Sequence, residues 1–185
     1  MTAQSPLGGS ILVALGGNFP GPWGTPPETL RRALRALEEH RVIVAAVSPF
    51  YETAAVGAAR QPPYVNAVAR VQTSIPPAAL LRLLKQVEAQ AGRRGGRPWG
   101  PRTLDLDIVD YKGLVTHGPK RSLRFGHAGP RPLVLPHPLA HKRPFVLRPL
   151  LDVAPDWRHP VLRRTAAELW RRVARGEQGR ILKRL

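Results

Sequence analysis

With 185 residues, of which 43% are hydrophobic, the chain is long enough to bury a core of its own, and wholesale disorder is excluded. It contains no cysteine, which excludes disulfide scaffolds, thiol catalysis and thiolate-held zinc and accords with a cytoplasmic setting. The formal net charge of +17 invites anionic partners. The basic residues, mostly arginine, are however scattered along helices, so nucleic-acid binding is not expected as the main function, and a nucleotide would exploit the same field.

Met1 to Leu15 has no positive leading region, and its apolar run Ile11–Leu15 stops at Gly16-Gly17. This reads as a buried strand rather than a signal peptide. No run approaches the roughly 18–20 apolar residues of a membrane span, so a soluble protein is expected. Thr25-Pro26-Pro27-Glu28 is a capping box with prolines in the first turn. Leu30, Ala33, Leu34 and Leu37 follow at helical spacing, predicting a helix over about 26–40. Val42 to Val47 reads as a strand continuing toward Tyr51. Tyr64 to Thr73 alternates, with Val65, Ala67, Ala69 and Val71 on one face, and predicts a half-exposed strand. Leu80, Leu83, Leu84 and Val87 form the stripe of a helix over about 77–91, with Gly92 as its stop. Leu104 to Tyr111 is the next strand, where Leu104, Leu106 and Ile108 point one way and Asp105 and Asp107 the other.

The order β-α-β-β-α-β predicts an α+β fold with a ferredoxin-like core, its helices packed on one face of an antiparallel sheet. An irregular basic stretch over about 112–132 follows, and then a proline-punctuated segment. A last capped helix is expected over about 165–176, with Thr165 and Glu168 as its box. No repeat or boundary interrupts the pattern, so residues 1–185 read as a single domain.

Asp105-Leu106-Asp107 is the sharpest local feature. A strand has a side-chain period of two, so both carboxylates leave one face, roughly 7 Å apart. Such a pair can bridge hard divalent cations, yet two solvated acids on an exposed strand would look the same. The preceding segment, Gly92 to Arg102, carries Arg93, Arg94, Arg97 and Arg102 on glycine and proline. Metal-bridging acids beside guanidinium groups suit phosphoryl transfer, and a mobile loop would let the arginines close over substrate. An RGG-like RNA-binding segment is the rival, but it would need neither the aspartates nor the strand. There is no P-loop motif. His137 and His141 stand four apart, but Pro138 disfavours one helix and hence a zinc pair; His137 is either a phosphate donor or a loop residue without a role. Tyr64 and Asn66 share a strand face and could hold a flat heterocycle, or Tyr64 could simply be packing.

In chain order, these segments resemble the pyrophosphokinases of 6-hydroxymethyl-7,8-dihydropterin, enzymes of folate biosynthesis. The resemblance rests on Ala14-Leu15-Gly16-Gly17-Asn18, Ser48-Pro49-Phe50-Tyr51-Glu52-Thr53, Gln61-Pro62-Pro63-Tyr64-Val65-Asn66-Ala67, and Val87-Glu88 before Gly92-Arg93. Trp99 to Asp107, Pro136-His137-Pro138 and Arg143 to Leu147 complete it. It implies transfer of pyrophosphate from ATP to the pterin's hydroxymethyl group, with release of AMP. Asp105 and Asp107 match the ligands of two magnesium ions, Arg93 and Arg102 the phosphate-handling arginines, and these four the catalytic set. Glu88, Trp99, Ile108, His137 and Arg143 match further ATP contacts. Tyr64 and Phe145 match the rings that sandwich the pterin, beside Asp105; Asn66, Thr53, Ala54 and Val56 match its edge-recognition groups. The implied partners are these two small molecules, with a monomer expected. The chain departs from the pattern at Gly17, in a shorter arginine loop where Arg94 or Arg97 takes the second role, and near Pro132 and Val134, where Arg131 could compensate. Residues 116–131 look like an insertion. A catalytically silent homologue, or a basic nucleic-acid-binding protein, is the alternative.

Overall fold

The computed structural model describes residues 10–57, 61–93, 101–116 and 133–185. Its elements run β1 (Ile11–Gly17), α1 (Pro26–Glu39), β2 (Ile43–Val47), β3 (Tyr51–Thr53), β4 (Tyr64–Gln72), α2 (Pro77–Gln90) and β5 (Asp105–Tyr111). A 3-10 turn (Ala140–Lys142), α3 (Pro144–Val153), α4 (Ala166–Val173) and β6 (Ile181–Arg184) complete them.

Helix α1 starts where its box predicts, with the Glu28 carboxylate accepting from the Thr25 N–H at 2.7 Å. Helix α2 ends at Gly92, whose φ of +83° suits a residue without a side chain. A Cβ there would also lie 2.5 Å from Pro22 Cδ. The stripe Leu80, Leu83, Leu84 and Val87 is buried against the sheet, each side chain contributing roughly 1.5–3 kcal/mol. Helices α1 and α2 cover one sheet face, sharing a core with Val13, Leu15, Ala67 and Leu106.

The sheet runs β5-β1-β4-β3-β6, with β2 also on β4, and every pairing is antiparallel. This is an α+β architecture, and its strand order agrees with a βαββαβ core. The expected single strand after Val42 is two, broken at Ser48-Pro49-Phe50 because Pro49 has no N–H for a ladder. Strand β4 is not half-exposed: Val68 is fully buried in a second core with Leu12, Val109, Leu147, Leu150, Ala166 and Leu169. That core lies under α3 and α4, so both sheet faces are covered. Strand β6 was not foreseen; it pairs with β3 and adds an edge. The last helix is shorter than expected, and its reciprocal box is present, Thr165 Oγ1 accepting from the Glu168 N–H at 3.2 Å.

Candidate active site

The site grows from the register of three strands. Asp105 pairs with Gly16 across β1–β5, and Gly16 pairs with Asn66 across β1–β4. With strands about 4.8 Å apart, an acid and an amide stand roughly 10 Å apart on one row. Gly16 between them fills nothing, and a Cβ on it would come 2.6 Å from Asn66 Oδ1. Above this floor lies a pocket lined by Ala14, Gly16, Asp105, Asp107 and Val109, walled by Thr53, Ala54, Val56, Tyr64, Asn66, Arg102, His137, Arg143 and Phe145. The opposite face of β5 buries Leu106 and Ile108 in the core.

One end of the pocket is charged. Asp105 accepts from Arg93 Nη1 and Arg102 Nη1, each at 2.6 Å. Burial opposes ionisation of Asp105, but Arg102, Arg93 and Lys85 outweigh it and hold its carboxyl below the usual range. Asp107 faces Lys85 Nζ at 3.7 Å, His137 Nε2 at 3.8 Å and Arg143 Nη1 at 4.0 Å. The Leu139 N–H donates to His137 Nδ1 at 3.1 Å. Burial keeps this imidazole neutral, lowering its pKa. With Nδ1 accepting, a neutral ring carries its proton on Nε2, which stands 3.4 Å from Arg143 Nη1 and 3.8 Å from Asp107 Oδ2. The His137 N–H donates to the Val109 carbonyl at 2.9 Å, docking this loop on β5.

Two buried residues support the charged end from behind. Glu88, 2% exposed, accepts from Arg93, Lys85 and the Leu106 N–H. Burial raises its pKa, against the pull of Lys85 and Arg93. Asn18, 3% exposed, accepts from the Arg102 N–H at 2.9 Å and donates to the Pro62 carbonyl at 3.2 Å. It thereby ties the Arg102 turn to the chain entering β4.

The other end is neutral. Asn66 Nδ2 donates to Thr53 Oγ1 at 2.8 Å, both residues being buried. Tyr64 and Phe145 offer the rings, and burial raises the Tyr64 pKa, keeping it a phenol. Phe145 is backed by Gly179, where a Cβ would lie 2.5 Å from Phe145 Cδ1. The Ala54 N–H donates to the Arg180 carbonyl at 2.8 Å, so the C-terminal segment props this wall.

Of the described residues expected from the sequence, all but three meet in this pocket or at its rim. The Ile108 side chain turns into the core, leaving only its backbone to the site side. Glu88 lies behind β5, with its carboxylate occupied by the chain's own donors. Arg93 does not line the pocket but reaches Asp105 from α2's end. Trp99, with Arg94 and Arg97, lies outside the described residues, as do Arg131, Pro132 and nearly all of the expected insertion. The sequence reading missed Lys85 and the Gly179 support. Lys85 on a helix looks like any solvated lysine, and Gly179 reaches Phe145 only through tertiary packing.

Residues 12–155 match the model of the 7,8-dihydro-6-hydroxymethylpterin-pyrophosphokinase family. The chain is 39% identical over 153 residues to a 2-amino-4-hydroxy-6-hydroxymethyldihydropteridine pyrophosphokinase of Pseudomonas aeruginosa, spanning 81% of this chain and 83% of that protein. The Haemophilus influenzae enzyme of the same name is 37% identical over 145 residues, covering 78% and 81%. The fold is similar to that of Plasmodium falciparum HPPK-DHPS, with a TM-score of 0.64 and 15% identity over 89% of this chain. This chain spans 44% of that longer one. The pocket geometry and these relatives converge: the chain belongs to the 7,8-dihydro-6-hydroxymethylpterin-pyrophosphokinase family.

Proposed function

We propose that the protein transfers the β,γ-pyrophosphoryl group of ATP to the hydroxymethyl oxygen of 6-hydroxymethyl-7,8-dihydropterin, releasing AMP. The observation that carries this reading is one pocket lined by an acid pair with cations around it at one end and by an amide and two aromatic rings at the other. The donor set suits magnesium: Asp105 and Asp107 supply hard oxygens from one strand face. Among the described residues no three His, Cys, Asp or Glu side chains form a cage, so substrate phosphates and water would complete the coordination. Held there, such ions would supply positive charge to offset the charge of the phosphate oxygens during transfer.

The protein's own groups do the rest. Arg93 and Arg102, now on Asp105, are within reach of incoming phosphates and can exchange one anion for another bidentately. His137 offers its Nε2–H and Arg143 its guanidinium to phosphate oxygens. Tyr64 and Phe145 hold the pterin ring by its faces, while Asn66 and the chain at Thr53, Ala54 and Val56 read its edge. Glu88 serves the nucleotide side through Arg93 and β5, with the Ile108 backbone and Trp99 as further nucleotide contacts. Fixing both substrates in line converts the reaction to one of position and charge.

AMP release measured with ATP and magnesium, with and without the hydroxymethyl-dihydropterin, tests the reading. Release that requires the pterin supports it; release that ignores the pterin, or none at all, refutes it.

A further inference from the structure

Strand β5 lies at the edge of the sheet, paired with β1 alone among the described residues. An edge strand has outward N–H and C=O groups that need partners. At Leu106, the residue between the two aspartates, both groups are taken by one ion pair from α2. The Leu106 N–H donates to Glu88 Oε1 at 2.6 Å, and Lys85 Nζ donates to the Leu106 carbonyl at 2.8 Å. The same ammonium donates to Glu88 Oε1 at 2.6 Å, closing a ring. Lys85 and Glu88 thus stand where a neighbouring strand would. The same ammonium stands 3.7 Å from Asp107 Oδ1, an ion-pair distance.

We propose that Lys85 is a positioning residue for the acid pair. By clamping the Leu106 peptide it fixes how Asp105 and Asp107 tilt from β5, and so whether both carboxylates meet one cation-phosphate cluster. The inference rests on the two-metal reading above. It also makes an unusual commitment of sign. A cation beside a ligating carboxylate repels metal, so if charge were its only effect, removing Lys85 would tighten divalent binding. If it positions the pair, removal weakens binding, as loss of outer supports of metal ligands does by about 10–100-fold.

The test is titration of Mn2+ in the presence of a saturating non-hydrolysable ATP analogue, using wild type, Lys85→Met, Lys85→Arg and Asp107→Ala. Mn2+ affinity should fall roughly tenfold in Lys85→Met and recover most of that loss in Lys85→Arg. Affinity that is unchanged or tighter in Lys85→Met overturns the proposal, and the two-metal reading survives if Asp107→Ala alone loses binding. If wild type binds Mn2+ no better than Asp107→Ala, that reading fails and the proposal with it. Should Lys85→Met fail to fold, Lys85→Gln takes its place under the same criterion.

Discussion

The two ends of the pocket are built from different materials. At the neutral end, Asn66 is locked to Thr53, and Phe145 leans on Gly179. These contacts are made by the chain's own neutral groups, so this end is already formed without a ligand. At the charged end, Asp105 is held by Arg93 and Arg102, while Asp107 faces Lys85, His137 and Arg143. Those cations are the ones phosphates would attract, so this end must exchange partners when it is loaded. Under the proposed function, one substrate would be held by preorganisation and the other by ionic substitution.

Substitutions at each end separate the two modes of holding a ligand. Asp107→Ala should produce the largest effect, a loss of turnover on the order of 10³-fold. Asp107 is partly exposed and outside both cores, so the unfolding free energy should change by only about 0.5 kcal/mol. Normal turnover by this variant would remove the metal assignment. Phe145→Ala should raise KM for the pterin by about 10–100-fold, the value of one stacked ring, with little change in KM for ATP. Steady-state kinetics with each substrate varied separately checks this split.

Gly16→Ala should act more gently and on the neutral end first. Its Cβ would displace Asn66 Oδ1, so KM for the pterin should rise while Asp107-dependent metal binding stays as in wild type. The smallest effect is one of pH. The folded Asp105 carboxyl lies below its ordinary value of 3.8, where Arg102, Arg93 and Lys85 prevail over burial. Its contribution to stability is therefore present above pH 3.8 and lost as pH falls through the folded value. The stability gap between wild type and Asp105→Asn should narrow in that acid range, as read by denaturant unfolding, whereas Asn66→Ala should show no such trend.

Much of the charged end was legible because strand period alone separates Asp105 and Asp107 from Leu104, Leu106 and Ile108. The capped helices were equally plain, since Thr25 with Glu28 and Thr165 with Glu168 announce a start within four residues of sequence. Burial of the second face of β4 was not legible. It depends on α3, which begins at Pro144 and carries Pro149 inside, so its pattern reads as punctuation rather than helix. Strand β6 is short and basic, and only its pairing with β3 makes it a strand. Glu88 was expected on the nucleotide side, but its depth behind β5 follows from packing, as does the role of Lys85.

The proposed reaction moves a pyrophosphoryl group, rather than a single phosphoryl group, across this pocket. Phosphorus NMR of the products from ATP and the hydroxymethyl-dihydropterin tests it most directly. AMP and a pterin bearing two coupled phosphorus signals are the expected products. ADP together with a pterin monophosphate would contradict it.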